Sequence, residues 1–174
     1  MVRDGRGTRT LLLVRHAKSD QHVAGDDHDR PLNDRGRRDA PALGRWLAQH
    51  EPRIDLVLCP SARRAQQTWE LAAQQLAQRP PTDVRPSLYL ARPQGVLQQL
   101  RDLPDDADVV AVVGHEPTQS TLVELLAGAA DPDAAQRFAE GFTTSAVAIL
   151  TSTGPWAGLG PGTGRLAGFA VPRG

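Results

Sequence analysis

Two histidines in this chain each stand at the end of an apolar run, and a pair of arginines follows a third such run. Thr10-Leu11-Leu12-Leu13-Val14 breaks off in Arg15-His16, and Val109-Val110-Ala111-Val112-Val113 breaks off in Gly114-His115. Ile54-Asp55-Leu56-Val57-Leu58 leads through Cys59-Pro60-Ser61 to Arg63-Arg64. Brought together, these residue types suit phosphoryl transfer. A neutral imidazole attacks phosphorus in line, while guanidinium groups spread positive charge over the equatorial oxygens, where negative charge sits in the transition state. Arginine serves this because its planar fork bonds two oxygens at once. Nearby arginines also lower the pKa of a histidine, which keeps the nucleophile unprotonated near neutral pH.

The elements that must position these groups can be read from the hydrophobic pattern. The three apolar runs are short and bounded, as buried strands are. Between them, Ala17 to Asn33 shows no helical or strand period and reads as a long loop. A helix is expected from Asp34, with Ala40, Leu43, Trp46, Leu47 and His50 on one face. A second helix is expected from Ser61, as N-cap, to about Gln78, before Pro80-Pro81 stops it. Val84 to Leu90 fits no single template. Pro93 to Leu103 suits a third helix. A fourth is expected to begin with Pro117 at its first position, to turn Leu122, Leu125 and Leu126 to the core, and to close at Gly128. A shorter helix is expected over Asp133 to Glu140. Ala146 to Thr151 and Leu166 to Val171 read as an antiparallel hairpin on the sheet edge. Strands alternating with helices imply an α/β fold with a mostly parallel sheet covered on both faces. In such sheets ligands bind beyond the carboxyl ends of the strands, where Arg15-His16, Cys59 to Arg64 and Gly114-His115 would all emerge.

The 174 residues suit one domain, expected over residues 10–174 behind a flexible tail at 1–9. No apolar run approaches the roughly 20 residues needed to cross a bilayer, and the start is polar, so neither membrane insertion nor secretion is expected. Twenty basic groups balance twenty acidic ones, which leaves no global field to attract nucleic acid or anionic lipid. Any anion site must be local. Cys59 is the only cysteine, so there is no disulfide framework or multi-cysteine zinc site, and a reducing cytoplasm is the expected location.

The motifs also resemble a known family. Leu13-Val14-Arg15-His16-Ala17 resembles the Arg-His-Gly signature of the histidine phosphatase superfamily, with Ala17 in place of the glycine. Arg64-Ala65-Gln66-Gln67-Thr68 is similar to its Arg-Ala-x-Gln-Thr helix start, and Val113-Gly114-His115 to the segment of its second histidine. Within the superfamily the chain is most similar to phosphohistidine phosphatases of the SixA type, through Asp29-Arg30-Pro31-Leu32-Asn33 with Gly36, Phe142-Thr143-Thr144-Ser145-Ala146, and the short length. The resemblance implies a phosphoglycerate mutase-like, three-layer α/β/α fold. It further implies His16 as a nucleophile that forms a phosphohistidine intermediate, and Arg15, Arg64 and His115 as holders of the phosphoryl oxygens. Anchoring the helix motif on Gln67-Thr68 selects Arg64, whereas counting three residues from Pro60 selects Arg63. The first needs no gap and is preferred.

Many members of the superfamily place a carboxylic acid to protonate an alcohol leaving group. Here Asp83, Asp102, Asp105, Asp106 and Asp108 lie where one is often found, none in a recognisable motif. A phosphoramidate P–N bond breaks more readily than an ester, because solvent can protonate its nitrogen, so a site without a dedicated acid matches phosphohistidine. Glu116, next to His115, is a possible acid; its other reading is a first-turn carboxylate that favours the helix dipole. Arg30 and Asn33 are expected to organise the loop beside the pocket, with Asp29 pinning Arg30. Asp26 to Asp29 reads otherwise as a solvated acidic loop, since the spacing of His22, His28 and these aspartates matches no zinc or calcium pattern. The expected protein is thus a phosphatase needing no metal and no cofactor, acting on a phosphorylated protein or a small phosphomonoester. Two alternatives stand beside it: a broader metabolite phosphomonoesterase or mutase-like enzyme using Glu116, and a phosphate-binding module without turnover.

Overall fold

The computed structural model describes residues 7–51 and 53–174; most of the expected N-terminal tail, residues 1–6, lies outside them. In chain order the elements are β1 (Thr8–Arg15), α1 (Asp34–His50), β2 (Leu56–Pro60), α2 (Arg63–Ala73), β3 (Thr82–Arg85), α3 (Pro93–Arg101), β4 (Val109–Gly114), α4 (Thr118–Leu126), β5 (Ala127–Ala130), α5 (Pro132–Ala139), β6 (Val147–Thr153) and β7 (Gly164–Ala170). The strands form one seven-stranded sheet in the order β3-β2-β4-β1-β6-β7-β5. Pairing is parallel from β3 through β2 and β4 to β1. It is antiparallel from β1 to β6 and from β6 to β7, and parallel again between β7 and β5.

Alternate residues of the central strands feed two separate cores, as the two-residue period of a strand requires. Leu11 and Leu13 of β1 pack with Val96, Leu97 and Leu100 of α3 and with Leu122 and Leu126 of α4. Leu12 and Val14 face the other way, onto Leu43 and Leu47 of α1 and Ala65, Trp69 and Ala72 of α2. The two helices on that face touch closely. A Cβ on Gly44 of α1 would lie 2.1 Å from the carbonyl oxygen of Ala72, so only glycine permits the approach.

Several boundaries differ from the sequence expectation, each for a local reason. β1 starts at Thr8 because Arg9, though charged, is buried: it donates to the carbonyl of Ala107 at 2.9 Å and to the Asp108 carboxylate at 2.8 Å, and it lies 5.9 Å over the Trp156 ring. The helix α2 begins at Arg63, with Ala62 rather than Ser61 in the cap position, and ends at Ala73 instead of running to Gln78. Its end tightens, with Gln75 and Leu76 donating three residues back to Ala72 and Ala73. Of the stretch from Val84 to Leu90 that fits no template, Val84 and Arg85 belong to β3, at one sheet edge. Pro117 precedes α4 instead of occupying its first turn. Gly128 does not close that helix but lies in β5, where a Cβ would sit 2.2 Å from the Gly162 carbonyl oxygen. β6 and β7 pair antiparallel as expected, yet β5, not their hairpin, forms the outer edge. His50, expected on the apolar face of α1, is exposed and stacks on Trp46, with ring centroids 4.0 Å apart. No helix among the described residues is long and apolar enough to cross a membrane.

Candidate active site

Register alone brings the two histidines together. Arg15 pairs with Gly114 across the parallel β1–β4 ladder, so the next residues, His16 and His115, leave adjacent strands side by side. The His16 amide donates to the Gly114 carbonyl at 3.0 Å and extends that ladder by one bond. Below them Gln119 of α4 is buried, and its Nε2 donates to the carbonyls of Val14 and Val112 at 3.0 and 3.1 Å. This locks helix to strands where β1 and β4 end. It also explains Gly114, since a Cβ there would come within 2.4 Å of that Nε2.

The third strand end delivers Arg64. Arg64 is buried on the inner side of α2, whereas Arg63 is exposed. The helix is tied to the end of β1 through Thr68, whose hydroxyl donates to the Arg64 carbonyl at 2.6 Å and accepts the Ala17 amide at 2.9 Å. Ala17, where the family motif has glycine, is fully buried among Leu32 and Ala40, and its φ is not among the positive ones, so the methyl group costs no backbone strain here. Next to it, Gly36 lets the first turn of α1 pack on Lys18: a Cβ there would be 2.1 Å from the Lys18 carbonyl oxygen. Asn33 caps this helix by accepting the Gly36 amide at 2.9 Å, and Gln67 of α2 accepts the Leu32 amide at 2.9 Å.

His16, Arg64, His115 and Tyr89 line one small cleft of about 190 Å³, together with Pro60, Ala62, Ala65 and Gly114. Arg15, Arg30, Asn33, Arg63 and Glu116 are not among its lining residues. Arg15 donates through Nη1 to the Phe142 carbonyl at 2.7 Å. The Nε atoms of Arg15 and Arg30 are buried with no hydrogen-bond partner among the described residues. Larger cavities lie elsewhere, among them one between α2 and β3, one against Trp46 and β7, and one beside Gly141 and Val171. They contain none of these groups.

The His16 ring is held in one tautomer and kept neutral. Its Nδ1 lies 2.8 Å from the Ala17 carbonyl oxygen. A carbonyl can only accept, so Nδ1 carries the hydrogen and Nε2 keeps its lone pair. Burial is the main force that depresses the His16 pKa, to about 4; the Ala17 hydrogen bond opposes it, while the charges of Arg64, Arg15 and His115 add to it. His115 is also held below its ordinary value, by burial first and then by Arg64, against the pull of Glu116 and Asp27. Arg15 is lowered by burial, against the pull of Glu116.

Asp27 is exposed, as expected of its loop, but three side chains also hold it. Arg64 donates to its carbonyl oxygen at 2.7 Å and to its carboxylate at 3.0 Å, and Tyr89 donates its hydroxyl to the same carboxylate oxygen at 2.9 Å. Arg30 closes on its other oxygen at 2.5 Å. Burial raises the Asp27 pKa, but Tyr89, Arg64 and Arg30 outweigh it and hold the acid at about 2. Arg30 is therefore pinned by Asp27, not by Asp29, which pairs with His28. His28 also bonds to Ser61 at 2.9 Å and meets the Tyr89 ring edge-on at 4.9 Å. Glu116 spends both carboxylate oxygens on the start of α4, accepting the Ser120 amide at 3.0 Å and the Ser120 hydroxyl at 2.6 Å. No cluster of His, Cys, Asp and Glu among the described residues is arranged to hold a metal ion. Cys59 is buried, and its thiol is pushed up to about 12 by that burial.

Sequence reasoning missed Asp27, Tyr89 and Gln119. Gln119 left a signal: it interrupts the apolar stripe it shares with Leu122 and Leu126, and a polar residue in such a stripe is spending its hydrogen bonds inside. Tyr89, the only tyrosine, lies in the stretch that fits no template and left none.

Comparison with known proteins shows the family. The family model of the histidine phosphatase superfamily (branch 1) matches residues 11–89. A protein of Mycobacterium tuberculosis (strain ATCC 25618 / H37Rv), named only as uncharacterized, is 43% identical over 162 residues, which span 92% of this chain and all of that protein. The solved structure of SixA from Nakamurella multipartitia superposes with a TM-score of 0.81 at 32% identity, covering 97% of this chain and 99% of that one. A protein histidine phosphatase SixA complexed with tungstate gives 0.71 at 27% identity, covering 87% and 92%. Two histidines and a buried arginine gathered at three strand ends, in a chain matched almost end to end by these proteins, make this protein a member of the histidine phosphatase superfamily of the SixA-like kind.

Proposed function

We propose that this phosphatase hydrolyses a phosphohistidine in a partner protein, or a small activated phosphomonoester, through a covalent phosphohistidine on His16. The observation that carries the reading is the His16 ring itself: Nδ1 bound to the Ala17 carbonyl at 2.8 Å, and an imidazole held neutral among arginines. Nε2 attacks phosphorus, the P–N or P–O bond to the leaving group breaks with its electron pair, and solvent supplies the proton the leaving group takes. Water then attacks phosphorus, the P–Nε2 bond breaks, and phosphate leaves with His16 neutral again. Arg64, Arg15 and His115 stabilise the charge on the equatorial oxygens. The tungstate held by one SixA relative supports an oxyanion site, since tungstate is tetrahedral and anionic like phosphate.

A nitrogen leaving group fits better than an alcohol. Glu116 is engaged on both oxygens by Ser120, in the manner of a helix cap. A panel of a phosphoramidate, an aryl phosphate and an alkyl phosphate tests this: turnover is expected to fall in that order, and His16→Ala is expected to abolish all of it. Alkyl phosphate turnover equal to that of the phosphoramidate, impaired by Glu116→Gln, would favour the metabolite esterase. The lone buried thiol of Cys59 fits a reducing compartment, and a cytoplasmic site of action belongs to the same reading.

A further inference from the structure

Helix α1 carries an aspartate, Asp39, that is only 1% exposed. Acidic side chains are almost never buried this fully unless paired. Its partners are Arg35 at 3.3 Å, the Arg173 guanidinium at 3.2 Å and the Gly174 amide at 3.2 Å. Arg173, beyond the end of β7, spends the rest of its fork on a different segment. The same Nη1 donates to the Thr144 carbonyl at 2.6 Å, and Nη2 donates to the Thr143 hydroxyl at 3.1 Å.

That segment does not line the cleft but bonds to two residues of the site. Its Phe142 carbonyl accepts Arg15 at 2.7 Å, and its Ser145 amide donates to the His16 carbonyl at 3.3 Å. Ser145 has a φ of 62° and is fully buried. A non-glycine residue persists in the left-handed region only where its surroundings over-determine it. The four residues from Phe142 to Ser145 thus touch Arg15 and His16 on one side and Arg173 on the other.

We infer that Arg173, anchored on the buried Asp39, is a positioning residue that presses the 142–145 segment against Arg15 and His16. This rests on the phosphatase reading proposed for the site, because a brace on these residues matters to turnover only if they handle a phosphoryl group. Arg173 touches no reacting atom and acts through Phe142 and Ser145. Displacements of the order of 1 Å in a residue that orients the reaction cost up to about a hundredfold in rate.

The test is steady-state hydrolysis of p-nitrophenyl phosphate, with inhibition by orthophosphate, in the wild type, Arg173→Ala, Arg173→Lys, Arg35→Ala, Arg15→Ala and the Arg15→Ala/Arg173→Ala pair. Arg173→Ala is expected to lose roughly tenfold or more in kcat/KM and to bind orthophosphate more weakly, and Arg173→Lys to recover part of both. Arg35, 51% exposed, pairs with Asp39 and makes no hydrogen bond to the segment among the described residues, so Arg35→Ala is expected to stay within about twofold of wild type. The double variant is expected to be no worse than Arg15→Ala alone, since both changes remove one function. Should Arg173→Ala fail to fold, Thr143→Val, which removes the Nη2 contact alone, takes its place in the same cycle. Wild-type kinetics in the Arg173 variant, or losses that simply add to those of Arg15→Ala, would overturn the brace. An inactive wild type would overturn the function of the site instead.

Discussion

Arg64 grips Asp27 twice, once by its carbonyl oxygen and once by its carboxylate, so the arginine that faces His16 is fixed by a loop residue 37 positions earlier in the chain. Both members are held from further sides, Asp27 by Tyr89 and Arg30, and Arg64 by its place in the buried face of α2. A long arginine side chain loses much of its rotamer freedom in such a clamp before any ligand arrives, which lowers the entropy cost of binding an oxyanion.

Asp27→Ala is expected to raise the KM for an aryl phosphate and the inhibition constant for orthophosphate together, by roughly three- to tenfold, with a smaller effect on kcat. Tyr89→Phe removes one of three partners and is expected to cost less than about threefold. Parallel kinetics on both variants check this; an Asp27→Ala enzyme that binds orthophosphate more tightly than wild type would show that the carboxylate competes with the ligand instead of arranging its arginine.

Arg64→Lys keeps the charge but loses the fork. It is expected to lower kcat/KM by roughly a hundredfold, the scale of one lost oxyanion donor. Arg63→Ala, at an exposed position one residue away, is expected to stay near wild type. The same assay on both variants decides between the two neighbouring arginines.

His16 is expected to titrate far below an ordinary histidine, near 4, as the neutral Nδ1–H tautomer at higher pH. Because its folded pKa is depressed, the unfolded chain binds more protons between about pH 6.5 and 4, so the stability this ring contributes is present above that window and is lost as the pH falls through it. Ring-nitrogen NMR shifts across pH 3–8 check the first statement, and thermal melting across the same range checks the second. A His16 ring that titrates at 6.5 would contradict both.

Gly114→Ala places a methyl group 2.4 Å from the Gln119 Nε2. The buried amide must give way, with its bonds to Val14 and Val112, at a cost of about 1–3 kcal/mol, which lowers the thermal midpoint by several degrees. Calorimetry on this variant and on Gln119→Ala checks it: if the two positions form one unit, their effects do not add.

The central strands and the convergence of Arg15, His16 and His115 could be read from sequence because an apolar run forms a strand, and two parallel strands in register release their next residues at the same end of the sheet. The Arg64 helix could be read because its apolar residues recur at helical spacing. Asp27 and Tyr89 could not. Their pairing spans 62 residues and joins two irregular stretches, so no periodicity marks it. The same holds for the Arg173 contacts with Asp39 and Thr144, and for β5, whose Ala-Gly-Ala-Ala sequence has no strand pattern and pairs only because β7 offers it an edge.

The chemical state of His16 during turnover decides most directly whether this chain works by covalent catalysis. Rapid acid-free quenching of the enzyme with a labelled phosphoramidate donor, with phosphorus NMR and peptide mapping of the product, is expected to find one acid-labile, base-stable phosphoryl group on Nε2 of His16, absent from His16→Ala. Label on another residue, or full turnover in His16→Ala with no phosphorylated protein, would contradict it.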